Sequence, residues 1–208
     1  MKILNSNKFI NEKLLIKPIT KSTLSNKDNF KIVATDKNIK QLVIEGINAY
    51  GSDADLNYID TKNVTSMCGL FYDIGFNGNV SEWNVSNVKY MDDLFTHSQF
   101  NGDISKWDVS SVESMRDMFR NSPFNGDISN WNVSNVKDMI GMFRNSRFNC
   151  DISGWDVSNV RYMDFMFQGS DFNQNISIWN VSDVKSARQI FTSSPMYLDK
   201  YKQPTFNI

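Results

Sequence analysis

The chain has 208 residues, of which 40% are hydrophobic and 22% charged, and its formal net charge at pH 7 is −1. This length suits one domain, or one repeat domain with a short added module. The 15 Phe and 5 Trp exclude the aromatic-poor composition of a disordered chain, and the near-neutral charge gives no electrostatic reason to expect nucleic acid or an anionic membrane as a partner.

The first predicted region, residues 1–45, is a basic N-terminal arm and cap with nine Lys and four acids. Residues 31–34 and 41–44 are predicted as short strands, the second as part of a cap on the repeats. Residues 1–28 have too little apolar surface to fold alone, and a docking arm that binds within a larger assembly is the alternative to a Lys-rich solvated surface.

The start of the chain lacks the apolar run and the small-residue cleavage site of a secretory signal. We therefore expect a cytoplasmic or virion-associated location in preference to secretion. No apolar run reaches the length of about 18 residues that a membrane-spanning helix needs.

A 24-residue repeat dominates the second predicted region, residues 46–195, which a C-terminal tail at residues 196–208 follows. Tryptophan recurs at this interval at Trp83, Trp107, Trp131, Trp155 and Trp179. Phenylalanine keeps the same interval at Phe71, Phe95, Phe119, Phe143, Phe167 and Phe191. A period of this length indicates units that must stack on one another to bury their apolar residues.

Each unit is predicted to contain a short helix. The prediction rests on an i, i+3, i+4, i+7 spacing of apolar residues, at Val136, Met139, Ile140 and Phe143. Ser134 stands where its hydroxyl could accept from the first free N–H groups of that helix.

Each unit is also predicted to contain a short strand, because Trp131 and Val133 alternate with a polar residue. Stacked strands would pair into a parallel sheet with helical returns, and the Trp side chains would form one column inside it. The predicted fold class is therefore α/β, a leucine-rich-repeat-type solenoid of about five 24-residue strand–turn–helix coils with a short N-terminal extension.

Two rows of polar residues recur with the repeat. Asparagine follows the second Phe of each unit at Asn77, Asn101, Asn125, Asn149 and Asn173. A ladder of inward amides that satisfies backbone groups is favoured there over a ligand row. Aspartate recurs at Asp103, Asp127 and Asp151, where turn formation is favoured over calcium binding, because Asn79 and Asn175 interrupt the row.

The line W-[DN]-V-S-x-V-x-x-M-x-x-[ML]-F, together with F-N-x-[DN]-I-S-x-W, resembles the bacterial BspA-like leucine-rich-repeat surface proteins and the related repeats of mycoplasma surface proteins. The resemblance covers residues 59–194. It implies a leucine-rich-repeat-type solenoid, a role in adhesion or protein interaction, and no enzymatic activity.

No catalytic constellation is apparent from the sequence. The single histidine, His97, occupies a position that is Asn, Gly or Ser in other units and is predicted to lie in an exposed turn. Cys68 and Cys150 fall at different positions of the repeat and form no metal-spaced cluster. We expect no enzyme, no cofactor and no metal site.

The predicted function is a protein-interaction module that binds an unidentified protein through the surface of the repeat. The alternative is a structural component of a virus particle or other assembly, docked through the N-terminal arm. Candidate binding residues vary between units: on the strand side Glu82, Asn84, Lys106, Asp108, Asn132, Asp156 and Asn180, and on the helix side Tyr90, Tyr162 and Phe165. The two sides are weighted equally.

Overall fold

A computed structural model describes residues 31–208. It begins with strand β1 (Ile32–Thr35), helix α1 (Ile39–Tyr50) and strand β2 (Ile59–Asn63). The strand predicted at residues 31–34 is confirmed as β1. The strand predicted at residues 41–44 is wrong, because these residues lie inside α1. An apolar and small face at i, i+3, i+4 and i+7 is buried along that helix, at Ile39, Leu42, Val43 and Gly46.

The two strands pair in parallel, with Ile32 opposite Ile59, and a register shift precedes the pairing of Thr35 with Asn63. Helix α1 lies close to the segment before β2. A Cβ added at Gly46 would stand 2.5 Å from Leu56 Cδ2, so this glycine permits the close approach. The strands and the helix therefore form a small α/β element ahead of the repeats.

The predicted leucine-rich-repeat-type solenoid of strand–turn–helix coils is wrong. Within residues 31–208 the structure has one α-helix, two parallel strands and two short 3-10 helices. Between β2 and the first 3-10 helix, the repeat region consists of turns, irregular chain and single-residue β-bridges. No repeated strand–helix coil is present in this described part of the chain.

The helix predicted at Val136–Phe143 fails because its N–H groups are used elsewhere. The N–H groups of Met139, Gly141 and Phe143 each donate to a carbonyl group of the following unit, and Phe143 donates to Met166. Gly141 has φ 62° and Asn145 φ 53°. Left-handed residues four positions apart interrupt any right-handed helix.

The predicted strand at Trp131 and Val133 also fails, for a local reason. The N–H of Trp131 donates to the carbonyl of Ile128, three residues earlier, at 3.1 Å, and the N–H of Val136 donates to the carbonyl of Val133 at 2.9 Å. These are turn hydrogen bonds, so the segment has no strand ladder. The predicted cap residue Ser134 instead donates its N–H and its hydroxyl to Asn132 Oδ1.

Successive units of the repeat nevertheless contact each other in constant register. Single parallel bridges join equivalent residues of successive units, at Ser66, Tyr90, Ser114, Asp138, Tyr162 and Ser186. Each junction between units adds hydrogen bonds from N–H groups to carbonyl groups of the next unit, such as Phe119 N–H to Met142 O at 2.9 Å. The backbone groups of each unit are therefore satisfied largely by its neighbours.

Two columns of stacked phenylalanine rings run through the core. Phe119 lies 5.8 Å from Phe143 and 4.1 Å from Phe124, measured between ring centroids. The tryptophans lie beside these columns with 3–5% exposed surface. Each Trp Nε1 donates to a carbonyl 27 residues earlier. The predicted burial of all five Trp is thus observed without the predicted strands.

The residues assigned to a C-terminal tail, 196–208, cover part of the end of the last unit. The first 3-10 helix, Pro195–Tyr197, begins one residue before the predicted tail, and the second, Lys200–Lys202, lies within it. Met196 is fully buried, and the carbonyl of Lys202 accepts from the N–H of Ile176 at 3.0 Å. At the other end, helix α1 crosses the boundary predicted at residue 45. The docking arm predicted at residues 1–28 lies outside the described residues.

Candidate interaction surface

The ten candidate binding residues lie at or near the surface. Phe165 is half-buried and the other nine are exposed, namely Glu82, Asn84, Tyr90, Lys106, Asp108, Asn132, Asp156, Tyr162 and Asn180. The three aromatic residues, Tyr90, Tyr162 and Phe165, are called the aromatic set, and the other seven are called the polar set. The two sets have different surroundings in the structure.

Five members of the polar set form local turns. In Asn84, Asp108, Asn132, Asp156 and Asn180, the side-chain Oδ1 accepts from the N–H of the serine two residues later, at 3.1–3.2 Å. Hydrogen bonds from Ser110 and Ser158 hold the pKa of Asp108 and of Asp156 below the usual range. The side-chain oxygens of these residues therefore already have a structural function as Asx turns.

The other two polar residues, Glu82 and Lys106, come together in neighbouring units. With Ser81 and Asp103 they line an open, polar depression of about 140 Å³. A hydrogen bond from the Ser105 hydroxyl holds the pKa of Asp103 below its usual range. Because ligand pockets generally have volumes of about 300–1,000 Å³, this depression is too small for a buried small molecule and suits a surface contact.

Tyr90 and Tyr162 belong to the column of bridged residues, and each is 44% exposed. Three unit spacings separate them, which at the usual spacing of paired strands corresponds to about 14 Å. The two rings therefore do not touch. They project from a backbone that hydrogen bonds to both neighbouring units hold in place.

Phe165 adopts a left-handed backbone conformation with φ 61°, which is unusual for an aromatic residue. The equivalent residues of other units are left-handed as well, at Gly69, Asp93, Asp117, Gly141 and Gln189. The guanidinium carbon of Arg144 lies 5.1 Å from the centre of the Phe165 ring, a cation–π distance. Arg144 and Phe165 thus form one amphipathic contact between adjacent units.

Sequence reasoning missed the arginines of this region. Arg120 and Arg144 occupy equivalent positions of adjacent units, and the Nε atom of each is buried without a hydrogen-bond partner within residues 31–208. The carboxylate of Asp117 lies 4.0 Å from Arg120 Nε, and burial raises the pKa of Asp117 above its usual range. The sequence F-R-N-S occurs at residues 119–122 and again at residues 143–146, and this repetition could have indicated that the two arginines have a shared structural position.

The predicted asparagine ladder is present, although its members lie at the surface and do not point inward. Asn101 N–H donates to Asn77 Oδ1 at 2.9 Å, and the same contact joins each later pair of asparagines. A second ladder connects His97 Nε2, Asn121 and Asn145. His97 lies in an exposed turn, as predicted.

The aspartates considered for calcium act as turn formers. Asp103, Asp127 and Asp151 each accept from the N–H of the serine two residues later, at 2.9–3.0 Å. Among residues 31–208 there is no group of three or more His, Cys, Asp or Glu placed to hold a metal ion. In the same part of the chain, no helix has the length and apolar character needed to cross a bilayer.

Comparison with protein families gives a match over most of the described chain. The model of the family described as "Mycoplasma protein of unknown function, DUF285" matches residues 38–147 and again residues 100–203. Together these matches span the helix, both ends of the repeat and part of the C-terminal tail. No curated protein and no solved structure matches the chain.

Proposed function

The chain belongs to the Mycoplasma family of unknown function whose model it matches. We propose that it is a non-enzymatic module that binds a partner protein through the exposed surface of its repeat. The resemblance to the repeats of bacterial surface proteins implies the same general role, which is interaction with another protein.

The observation that carries this proposal is the contrast between constant buried positions and varied exposed positions. The four units that begin at Trp83, Trp107, Trp131 and Trp155 each bury one Trp and a pair of Phe rings at the same positions. In the column of bridged residues, the residue changes along the chain through Ser66, Tyr90, Ser114, Asp138, Tyr162 and Ser186. The two tyrosines are exposed and the other four residues are half-buried. A fixed backbone that presents different side chains at equivalent points is the arrangement found on the binding faces of repeat proteins.

Within that surface we assign the main contact to the aromatic set, Tyr90, Tyr162 and Phe165, together with Arg144. Tyrosine, phenylalanine and arginine are enriched in protein interfaces, and Tyr and Arg are frequent hot spots. The two tyrosines expose large rings from a backbone that is hydrogen-bonded to neighbouring units, and a Tyr side chain has only two χ angles to fix, so binding would cost little conformational entropy. The Asx-turn residues of the polar set contribute mainly to the shape of the surface.

The experiment is a capture of the partner with the full chain as bait, followed by measurement of the dissociation constant for matched variants. We expect the double substitution Tyr90→Ala with Tyr162→Ala to weaken binding at least tenfold. The control is Asp108→Asn with Asp156→Asn, since Asn occupies the equivalent position in other units and retains the Oδ1 acceptor. This control should bind like the wild type.

A charge-reversal pair, Glu82→Lys with Lys106→Glu, tests the polar depression separately. We expect an effect below threefold, because these side chains are exposed and solvent screens them. If neither the tyrosine pair nor the charge-reversal pair changes the dissociation constant, the binding surface is not on the repeat and the proposal is wrong.

A further inference from the structure

A row of charged side chains runs along the repeat, one from each unit, directly before the column of bridged residues. We call it the charge row, formed by Lys89, Glu113, Lys137, Arg161 and Lys185. The N–H of each later member donates to the carbonyl of the member before it, at 2.7–2.9 Å. These hydrogen bonds fix the register of the row, so successive members are separated by about 4.8 Å, the spacing of paired strands.

At the start of the charge row, positive and negative charges alternate. Glu113 Oε2 lies 2.7 Å from Lys137 Nζ, and Glu113 Oε1 lies 3.9 Å from Lys89 Nζ. The hydrogen bond from Lys137 and the charges of both lysines hold the pKa of Glu113 below its usual range. Each of these two lysines therefore has a carboxylate neighbour inside the row.

The alternation stops after Lys137. The next two members are Arg161 and Lys185, so three cations follow one another, and we call these three residues the basic end. Arg161 and Lys185 are exposed, and neither has an ion pair in the part of the chain that the structure describes. Because like charges at this spacing repel each other, a carboxylate added at the basic end would lower the electrostatic energy.

The acidic residues nearest in the chain do not provide that carboxylate. Asp138 and Asp164 are each paired with an arginine outside the charge row, at 2.7 Å. Asp183, two residues before Lys185, is exposed, and among residues 31–208 no ion pair includes it. The charges of Arg161 and Lys185 are therefore free to pair with a carboxylate of another molecule.

An exposed aromatic ring accompanies the basic end. Tyr162 follows Arg161 in the chain and is 44% exposed. Its N–H donates to the carbonyl of Lys137, and its carbonyl accepts from the N–H of Met139 at 2.9 Å, so its backbone is fixed to the preceding unit. Tyrosine and arginine are frequent hot spots of protein interfaces, and an arginine can bind a carboxylate through two parallel hydrogen bonds.

The size of the basic end favours a protein ligand over a nucleic acid. Affinity for nucleic acid generally depends on cations that neutralise many phosphates. The basic end has three cations, one of which already pairs with Glu113, and the whole chain has a net charge of −1. A short run of carboxylates is enough to neutralise Arg161 and Lys185.

We propose that the basic end, together with Tyr162, binds an acidic segment of the partner protein, whose carboxylates pair with Arg161 and Lys185. This inference rests on the proposed function and names the chemistry that the partner presents. The start of the charge row does not take part, because Glu113 repels a second carboxylate there.

The first test is fluorescence anisotropy with the full chain and a fluorescein-labelled peptide of the repeated sequence Glu-Glu-Tyr. One comparison peptide has Gln in place of every Glu, and a labelled single-stranded oligonucleotide of the same net charge tests for general binding of polyanions. We expect the glutamate peptide to bind at least about tenfold more tightly than either comparison ligand, as a few exposed ion pairs allow. Equal or tighter binding of either comparison ligand would overturn the proposal.

Arg161→Glu restores the alternation of charge, because the new carboxylate would stand between two lysines as Glu113 does. We expect this variant to bind the glutamate peptide at least about tenfold more weakly, while its urea midpoint stays the same or rises. The matched control, Lys89→Glu, makes the same change of charge at the start of the charge row and should change the dissociation constant less than threefold. Equal losses for the two variants would show that only net charge matters, and the proposal would be wrong.

The salt dependence of peptide binding provides a readout without any substitution. Between about 0.1 and 1 M salt the Debye length falls from about 10 to 3 Å, so the wild-type chain should bind the glutamate peptide progressively more weakly. An affinity that does not change over this range would contradict pairing of carboxylates with Arg161 and Lys185.

The captured partner separates this inference from the proposed function. A partner that loses affinity with the tyrosine pair, Tyr90→Ala with Tyr162→Ala, but binds Arg161→Glu like the wild type would overturn the acidic-segment proposal and leave the proposed function intact. A partner that loses at least about tenfold in affinity with Arg161→Glu and less than threefold with Lys89→Glu supports both.

Discussion

The indole Nε1 of Trp131 donates a hydrogen bond of 3.2 Å to the carbonyl oxygen of Ile104, which lies 27 residues earlier in the preceding unit. The same side chain is only 4% exposed. Trp131 therefore joins two units by apolar packing and by a hydrogen bond at once, and the four other tryptophans repeat this arrangement.

Trp131→Ala should lower the free energy of unfolding by about 3–5 kcal/mol, because it opens a large cavity in the core. Trp131→Phe should cost less, since it retains an aromatic ring and loses the Nε1 hydrogen bond. Urea denaturation followed by circular dichroism measures both. An unchanged midpoint for Trp131→Ala would show that the tryptophans do not hold the units together.

The sequence predicts which residues of a unit are buried better than it predicts the backbone that buries them. Val136, Met139 and Phe143 are fully buried as expected, yet their spacing arises from a turn with left-handed residues and not from a helix. Apolar spacing reports the direction of side chains. It cannot report that alternate N–H groups bond to the next unit, because those partners are distant in the chain.

For the candidate site, too, the sequence predicts which side chains are exposed but not the backbone conformation that presents them. Exposure of Tyr90 and Tyr162 follows from their variation among units. The left-handed conformation of Phe165 could not be foreseen from its own identity, since aromatic residues rarely adopt it, although Gly69 and Gly141 at equivalent positions carry that signal. The [DN]-x-S pattern at Asn132 is an Asx-turn signal that could have identified the structural function of the polar set.

The asparagine ladder gives a second prediction. Asn125 Oδ1 accepts the N–H of Asn149 at 2.8 Å, so Asn125→Ala should lower the free energy of unfolding by about 0.5–1.5 kcal/mol. Asn125→Asp keeps the acceptor oxygen and should cost less. Thermal unfolding by calorimetry distinguishes the variants, and equal losses for both would contradict an acceptor role for Asn125.

A third prediction concerns Gly141, where φ is 62° and an added Cβ would stand 2.2 Å from Asp117 Oδ1. Gly141→Ala should lower the free energy of unfolding by about 1–2 kcal/mol because of the left-handed backbone alone, and by a further amount because the new Cβ displaces the Asp117 side chain. In an Asp117→Gly background there is no side chain to displace, so this further loss disappears. A double-mutant cycle by urea denaturation should show coupling of about 0.5 kcal/mol or more, and strict additivity would contradict the contact.

The fourth prediction concerns pH and Asp117. Burial raises the folded-state pKa of Asp117 above its unfolded value, so the charged form is disfavoured in the folded protein. Asp117→Asn should therefore raise the free energy of unfolding relative to the wild type at pH 7. The difference should shrink as the pH falls through the folded-state pKa and vanish below about 3.9, the unfolded value.

The control for this prediction is Asp183→Asn at an exposed position. Urea midpoints for both variants and the wild type between pH 3 and 8 provide the measurement. A stabilisation by Asp117→Asn that stays constant across this range would show that its origin is not the ionisation of Asp117.

The constant register between units also bears on how the gene could vary. Every internal junction uses the same backbone pairings. If recombination added or removed one 24-residue copy, the helix at one end and the tail at the other would therefore still pack against units of the same structure. Only the distance between the ends would change, by about 4.8 Å for each copy. Unequal crossing-over could therefore lengthen or shorten the exposed face without requiring further substitutions in the core.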